Sequence, residues 1–186
     1  MRWIVYLALI VSVAALPVNA TADQSCPPVP ERGARQDMLM EQLKRAPDEP
    51  SARVLSSELW RIWTRAPDDY TQALLDRGMS RREALDYDGA TEALDALVIY
   101  CPNYAEGYNQ RAFVQFLRQD YATALEDLER ALELSPDHIA AMSGIALTLM
   151  GLGRFEVAQS VLRDALALNP WLPERNMLIE PPGQEL

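Results

Sequence analysis

Few residues in this chain are of the types that do covalent chemistry. It has one histidine, His138, and two cysteines, Cys26 and Cys101. His138 falls in the turn after Pro136, and Cys101 falls in the equivalent turn 34 residues earlier, beside Pro102. A cysteine thiolate activated by an imidazole is a nucleophilic pair, and a thiol-dependent enzyme is the one catalytic reading these residues offer. Turn positions are expected to be exposed, however, and no third group to orient the base and no oxyanion donor accompanies the pair. One histidine and two distant cysteines do not supply the ligand set of a zinc site. Gly151-Leu152-Gly153 has neither the lysine nor the preceding strand of a phosphate-cradling loop. Glu126, Asp127, Glu129 and Glu133 are spaced along a helix and not in one continuous turn, so they read as a solvated outer face balanced by Arg130 and not as a calcium loop. No catalytic residue, metal or cofactor is expected. The cysteines have another use in an oxidising compartment, where a Cys26–Cys101 bridge would staple the N-terminal extension to the rest; two unpaired thiols are the alternative.

The elements that position these residues follow from the pattern of the chain. Of its 186 residues 49% are hydrophobic, enough to bury a core. Residues 1–20 read as an export signal. Arg2 precedes the apolar run Trp3 to Leu16, and Val18-Asn19-Ala20 sets small residues before a cut after Ala20. The run is shorter than the roughly 20 residues of a comfortable membrane span, and an uncleaved anchor is the alternative. Residues 21–34, with Pro27, Pro28 and Pro30, read as a flexible linker. The net charge of −10 repels phosphate backbones and excludes nucleic acid as a partner.

A repeat organises the remainder. Pro102, Pro136 and Pro170 are spaced by 34 residues, as are Ala90, Ala124 and Ala158; Leu94, Leu128 and Leu162; and Tyr87, Tyr121 and Phe155. Gly78, Ala112 and Ala146 keep the same register. Each unit reads as two helices. In the middle one Tyr108, Phe113, Phe116 and Leu117 mark the first, Gln119-Asp120 the turn, and Ala124, Leu125, Leu128, Ala131 and Leu132 the amphipathic second. Pro136 stops it, and Asp137 is placed to cap the next helix. Ala112 and Ala124 are expected to meet where the helices cross, and Tyr121 to fill space between units.

These residues resemble the tetratricopeptide repeat family, whose unit runs Trp-x-x-Leu-Gly-x-x-Tyr, Ala-x-x-x-Phe, Pro over 34 residues. Tyr108, Ala112, Ala124 and Leu128 take the Trp, Gly, Ala and Phe places in the unit from Ala105 to Pro136, and Met142, Ala146, Ala158 and Leu162 fit from Ile139 to Pro170. The unit from Thr71 fits less closely, with Arg81 where an aromatic is usual. The resemblance implies an all-α, right-handed superhelical solenoid of stacked helix-turn-helix units, with three repeats over 69–170. Residues 35–67 read as a degenerate helical pair capping its N-terminal side, with Trp60 and Trp63 packed on the Thr71–Asp88 helix; an exposed anchor for a partner is the alternative. Residues 171–186 read as a brief cap, with Pro173 in its first turn, and a loose tail.

The resemblance further implies a concave groove lined by the first helices, showing Leu75, Asp76 and Met79, then Asn109, Gln110, Phe113, Phe116 and Leu117, then Ser143, Leu147 and Met150, about half of the apolar ones being core. The two-carboxylate clamp known in the family needs Lys, Asn or Arg where this chain has Leu75, Met79, Ala140 and Gly144. The expectation is a non-catalytic adaptor of the bacterial cell envelope, probing a peptide or helix of another envelope protein with groove amides and apolar side chains. A self-associating or fixed structural subunit is the alternative. Membrane contact is expected only if the signal stays uncut.

Overall fold

The computed structural model describes residues 25–30 and 33–179. The signal, its cut after Ala20 and the tail beyond Ile179 lie outside the described residues. Eight α-helices follow in order among the described residues: α1 (Ala34–Lys44), α2 (Glu49–Trp63), α3 (Asp69–Glu83), α4 (Tyr87–Tyr100), α5 (Ala105–Leu117), α6 (Tyr121–Leu134), α7 (Ile139–Gly151) and α8 (Phe155–Leu168), before a short 3-10 turn at Pro173–Met177.

Local chemistry explains the helix ends. The side chains of Asp48, Asp68, Asp86 and Asp120 each accept a hydrogen bond from the amide three residues on, at the starts of α2, α3, α4 and α6. At α7 the expected cap is displaced by one residue: His138, not Asp137, accepts from the amide of Ala141, at 3.3 Å. Within each unit the hairpin turn places one residue in the left-handed region, Leu85 at φ 60°, Gln119 at φ 62° and Gly153 at φ 72°. Gly153 thus serves a turn that Leu85 and Gln119 make against steric cost.

The units α3–α4, α5–α6 and α7–α8 stack in sequence. Ala112 and Ala124 are fully buried in one cluster, as the crossing of two helices without large side chains requires. The Tyr121 ring lies so close to Gly151 of the next unit that a Cβ there would fall 2.8 Å from it. Gly107 on α5 similarly sits against Leu97 and Val98 of α4, 2.2 Å and 3.3 Å from where a Cβ would be.

The N-terminal pair corrects the expectation of a cap on the first unit. Leu39, Met40 and Leu43 of α1 and Ala52 and Leu59 of α2 share their cluster with Ile139, Ala165 and Leu172, from the last unit and the segment after it. The Trp171 indole donates to the carbonyl of Ala46 at 2.9 Å, Asn169 donates to Ser56 at 3.4 Å, and Arg175 pairs with Glu49 at 3.0 Å. Trp63 stacks on His138, ring centroids 4.4 Å apart, and Trp60 lines a 310 Å³ cavity with Ile139 and Leu172. Neither tryptophan joins the α3–α4 core. The repeat register supplies the reason. Where α4 carries Leu97 and Asp95 against α5, α2 carries Trp63 and Arg61, too bulky and of the wrong charge for α3, which bears Arg77.

Leu59 is fully buried in this docked cluster. Leu59→Ala is expected to cost about 2–5 kcal/mol, read in urea denaturation. In hydrogen exchange, the loss of protection is expected in α1, α2 and the Pro170–Met177 segment together, with α4 and α5 spared.

Candidate functional site

The first helices α3, α5 and α7 lie side by side, and the 34-residue register sorts the groove positions into a closed part and an open part. Leu75, Asn109 and Ser143 form one register, with exposures of 0%, 7% and 6%. They do not face a partner, and neither does Gln110 at 1%. The amides expected to pair with a guest backbone are therefore spent internally. Asn109 and Gln110 both donate to Glu106, at 3.2 Å and 2.5 Å, and Arg82 donates to Gln110. Desolvation of the Arg82 guanidinium lowers its pKa.

Glu106 continues this polar line to the histidine. Its carboxylate lies 2.8 Å from His138 Nε2, and both side chains are buried. Because Nδ1 of His138 accepts the Ala141 amide, Nε2 carries the proton and donates to Glu106. Trp63 covers the imidazole face, and the Tyr104 hydroxyl donates to the Trp63 carbonyl at 2.7 Å. Burial pushes the Tyr104 phenol well above its usual range. These groups border a cavity of about 1220 Å³ between α2, the Pro28–Pro30 segment and the turns before α5 and α7.

Cys101 and His138, expected on exposed turns, are both fully buried. The reason is the N-terminal extension. Cys26 and Cys101 are joined, with Cα atoms 5.0 Å apart, and Trp63 closes over His138. The cysteine sulfur is bonded and both imidazole nitrogens are engaged, so the pair does not form a thiol nucleophile with its base. Asp127 departs likewise from the solvated face assigned to it. It is 6% exposed and takes two bonds from Arg111, each 2.7 Å, while Arg111 also reaches Asp95 of the preceding unit at 2.8 Å. The two carboxylates raise the Arg111 pKa. Arg130 does meet Glu133, at 2.8 Å.

The open part consists of two registers, Met79, Phe113 and Leu147, and Arg82, Phe116 and Met150. Phe113 is 45% and Leu117 38% exposed, Asp76 is exposed beside them, and Met79, Phe116, Leu147 and Met150 are half-buried. The Arg82 guanidinium sits over the Phe113 ring, 4.6 Å from its centroid. Apolar side chains are thus left exposed or half-exposed along neighbouring helices, with the Arg82 cation over Phe113.

The family model for the tetratricopeptide repeat matches residues 103–170. A TPR repeat-containing protein of Rhizobium etli is 30% identical over 171 residues, covering 89% of this chain and 78% of that one. The chain belongs to the tetratricopeptide repeat family. Tetratricopeptide repeat protein 36 of Homo sapiens is 39% identical over 74 residues, and that match spans only 39% of its length. Among solved structures, the first TPR domain of Spaghetti, bound to an HSP90 peptide, superposes with a TM-score of 0.57 at 23% identity, over 58% of this chain and 86% of that one. The translocator chaperone SycD of Yersinia enterocolitica gives 0.54 at 17% identity, over 59% and 83%. Both share the fold of this tetratricopeptide array.

Sequence reasoning missed Glu106 and the Arg111 clasp. The signal was weak: Glu106 stands in the register of Gln72 and Ala140, both half-buried, and it alone of the three is a carboxylate, which on burial requires a partner. Glu106→Leu removes the acceptor of three buried donors and is expected to cost about 1–3 kcal/mol or more, measured by urea unfolding. Arg130→Ala, which removes an exposed pair, is expected to cost under about 1 kcal/mol.

Proposed function

We propose that this chain is a non-catalytic protein-binding module of the bacterial cell envelope, which takes a peptide or amphipathic helix of another envelope protein on the open part of its groove. The observation that carries the reading is the exposed Phe113 and Leu117, flanked by the half-buried Met79, Phe116, Leu147 and Met150 on three neighbouring helices, with Arg82 over Phe113. Such a surface suits alternating or helical apolar side chains better than a polar extended strand, because the amides of Asn109 and Gln110 are committed to Glu106. That a solved tetratricopeptide neighbour holds a peptide supports a peptide partner. The bonded Cys26 and Cys101 suit an oxidising compartment, and Arg2 with the apolar run after it supports export.

A photo-crosslinker at Phe113, with one at Glu126 on the outer face as control, tests the reading in the native host. One protein captured from Phe113 and not from Glu126 is expected. Capture of the chain itself from Phe113 would replace the partner by self-association. Phe113→Glu is expected to weaken the captured complex about tenfold or more, in a titration against the identified partner.

A further inference from the structure

The leading face of the array, on α3, lies apart from the groove. In α5 the side chains facing the preceding unit are Gly107, Arg111 and Val114, and in α7 they are Ala141, Ile145 and Thr148. Gly107 and Val114 are buried, as are Ala141 and Thr148. The same register on α3 is Ala73, Arg77 and Ser80, with Ala84 one turn on, and all four are exposed. α3 therefore carries the small residues that let a covering helix approach, as Gly107 lets α4 approach to Leu97 and Val98 contact, and no helix among the described residues covers them. The N-terminal pair is docked on the last unit instead.

The charge on this face says what fits it. In the second unit Arg111 is met by Asp95 of the covering helix and by Asp127 of its own unit. At Arg77 both acids are missing: the counterpart of Asp127 is Ala93, and that of Asp95 on α2 is Arg61. Arg77 is exposed and makes no hydrogen bond or ion pair among the described residues. Two copies meeting through α3 about a twofold axis would set Arg77 against Arg77, which disfavours self-pairing.

We propose that the α3 face formed by Ala73, Arg77, Ser80 and Ala84 is a second docking surface, taking an acidic amphipathic helix of a partner protein that continues the stack as α4 does on α5. The helix seats leucine-sized side chains over Ala73 and Ser80 and sets a carboxylate against Arg77. The surface is separate from the groove and does not depend on what the groove binds.

A helix-stapled peptide with the α4 sequence, residues 87–100, serves as the probe, since α4 already covers the equivalent face one unit later. Fluorescence titration of the full chain with this peptide is expected to saturate. Arg77→Glu is expected to weaken binding about tenfold, and a peptide carrying Asp95→Arg to restore binding to that variant. Ala73→Arg is expected to abolish it, and Ser80→Arg does the same if Ala73→Arg disturbs the helix by circular dichroism. Absence of saturable binding, or binding indifferent to all three variants, overturns the proposal. Dimerisation in light scattering that Ala73→Arg abolishes without peptide would also overturn it, in favour of a second copy.

Discussion

A helical hairpin of this kind cannot bury both of its faces alone, and every feature of the molecule depends on that constraint. The second helix of one unit covers the first helix of the next, so the residues at that contact must be small or shaped to fit. Gly107 under Leu97, and Gly151 under Tyr121, show how closely the units approach. Where no fitting cover is supplied among the described residues, the array stays open, as at α3. Where it has spare apolar surface at the other end, α1 and α2 fill it, with Leu39, Leu43 and Leu59 packed beside Ala165 and Leu172.

Polar groups at the unit boundaries obey the same requirement. Between α3, α5 and α7 runs a line of contacts from Arg82 through Gln110 and Glu106 to His138. Each member is a partner of the next, which is the condition under which buried polar side chains are tolerated. Arg111 does the same work between α4, α5 and α6 through Asp95 and Asp127. These lines use up the polar half of the groove and leave the apolar half for solvent or a guest. The histidine and cysteine that suggested chemistry are consumed as structure, one under Trp63 and the other bonded to Cys26.

The repeat was legible because its signals are local. The 34-residue registers of proline, alanine and leucine fix helix faces, and Asp120 announces a helix start. The placement of α1 and α2 was not legible, since it rests on pairs as distant as Trp171 with Ala46 and Arg175 with Glu49, 125 and 126 residues apart. The register still held the warning: Trp63 and Arg61 stand where a covering helix needs a leucine and an acid. Of the candidate groove positions, the exposure of Phe113 and Leu117 follows from repeat position. The burial of Asn109 and Gln110 does not, because their amides are taken up by Glu106, whose own burial rests on His138 of the next unit.

The N-terminal pair is docked on the far unit and, among the described residues, leaves the α3 face uncovered. A nuclear Overhauser spectrum tests it most directly, because His138 is the chain's single histidine and its ring protons are identifiable. Docking on the far unit requires cross-peaks between the His138 ring and the Trp63 indole, whose centroids lie 4.4 Å apart. Cross-peaks from Trp63 to Ala73 or Arg77 on α3, with none to His138, would contradict it.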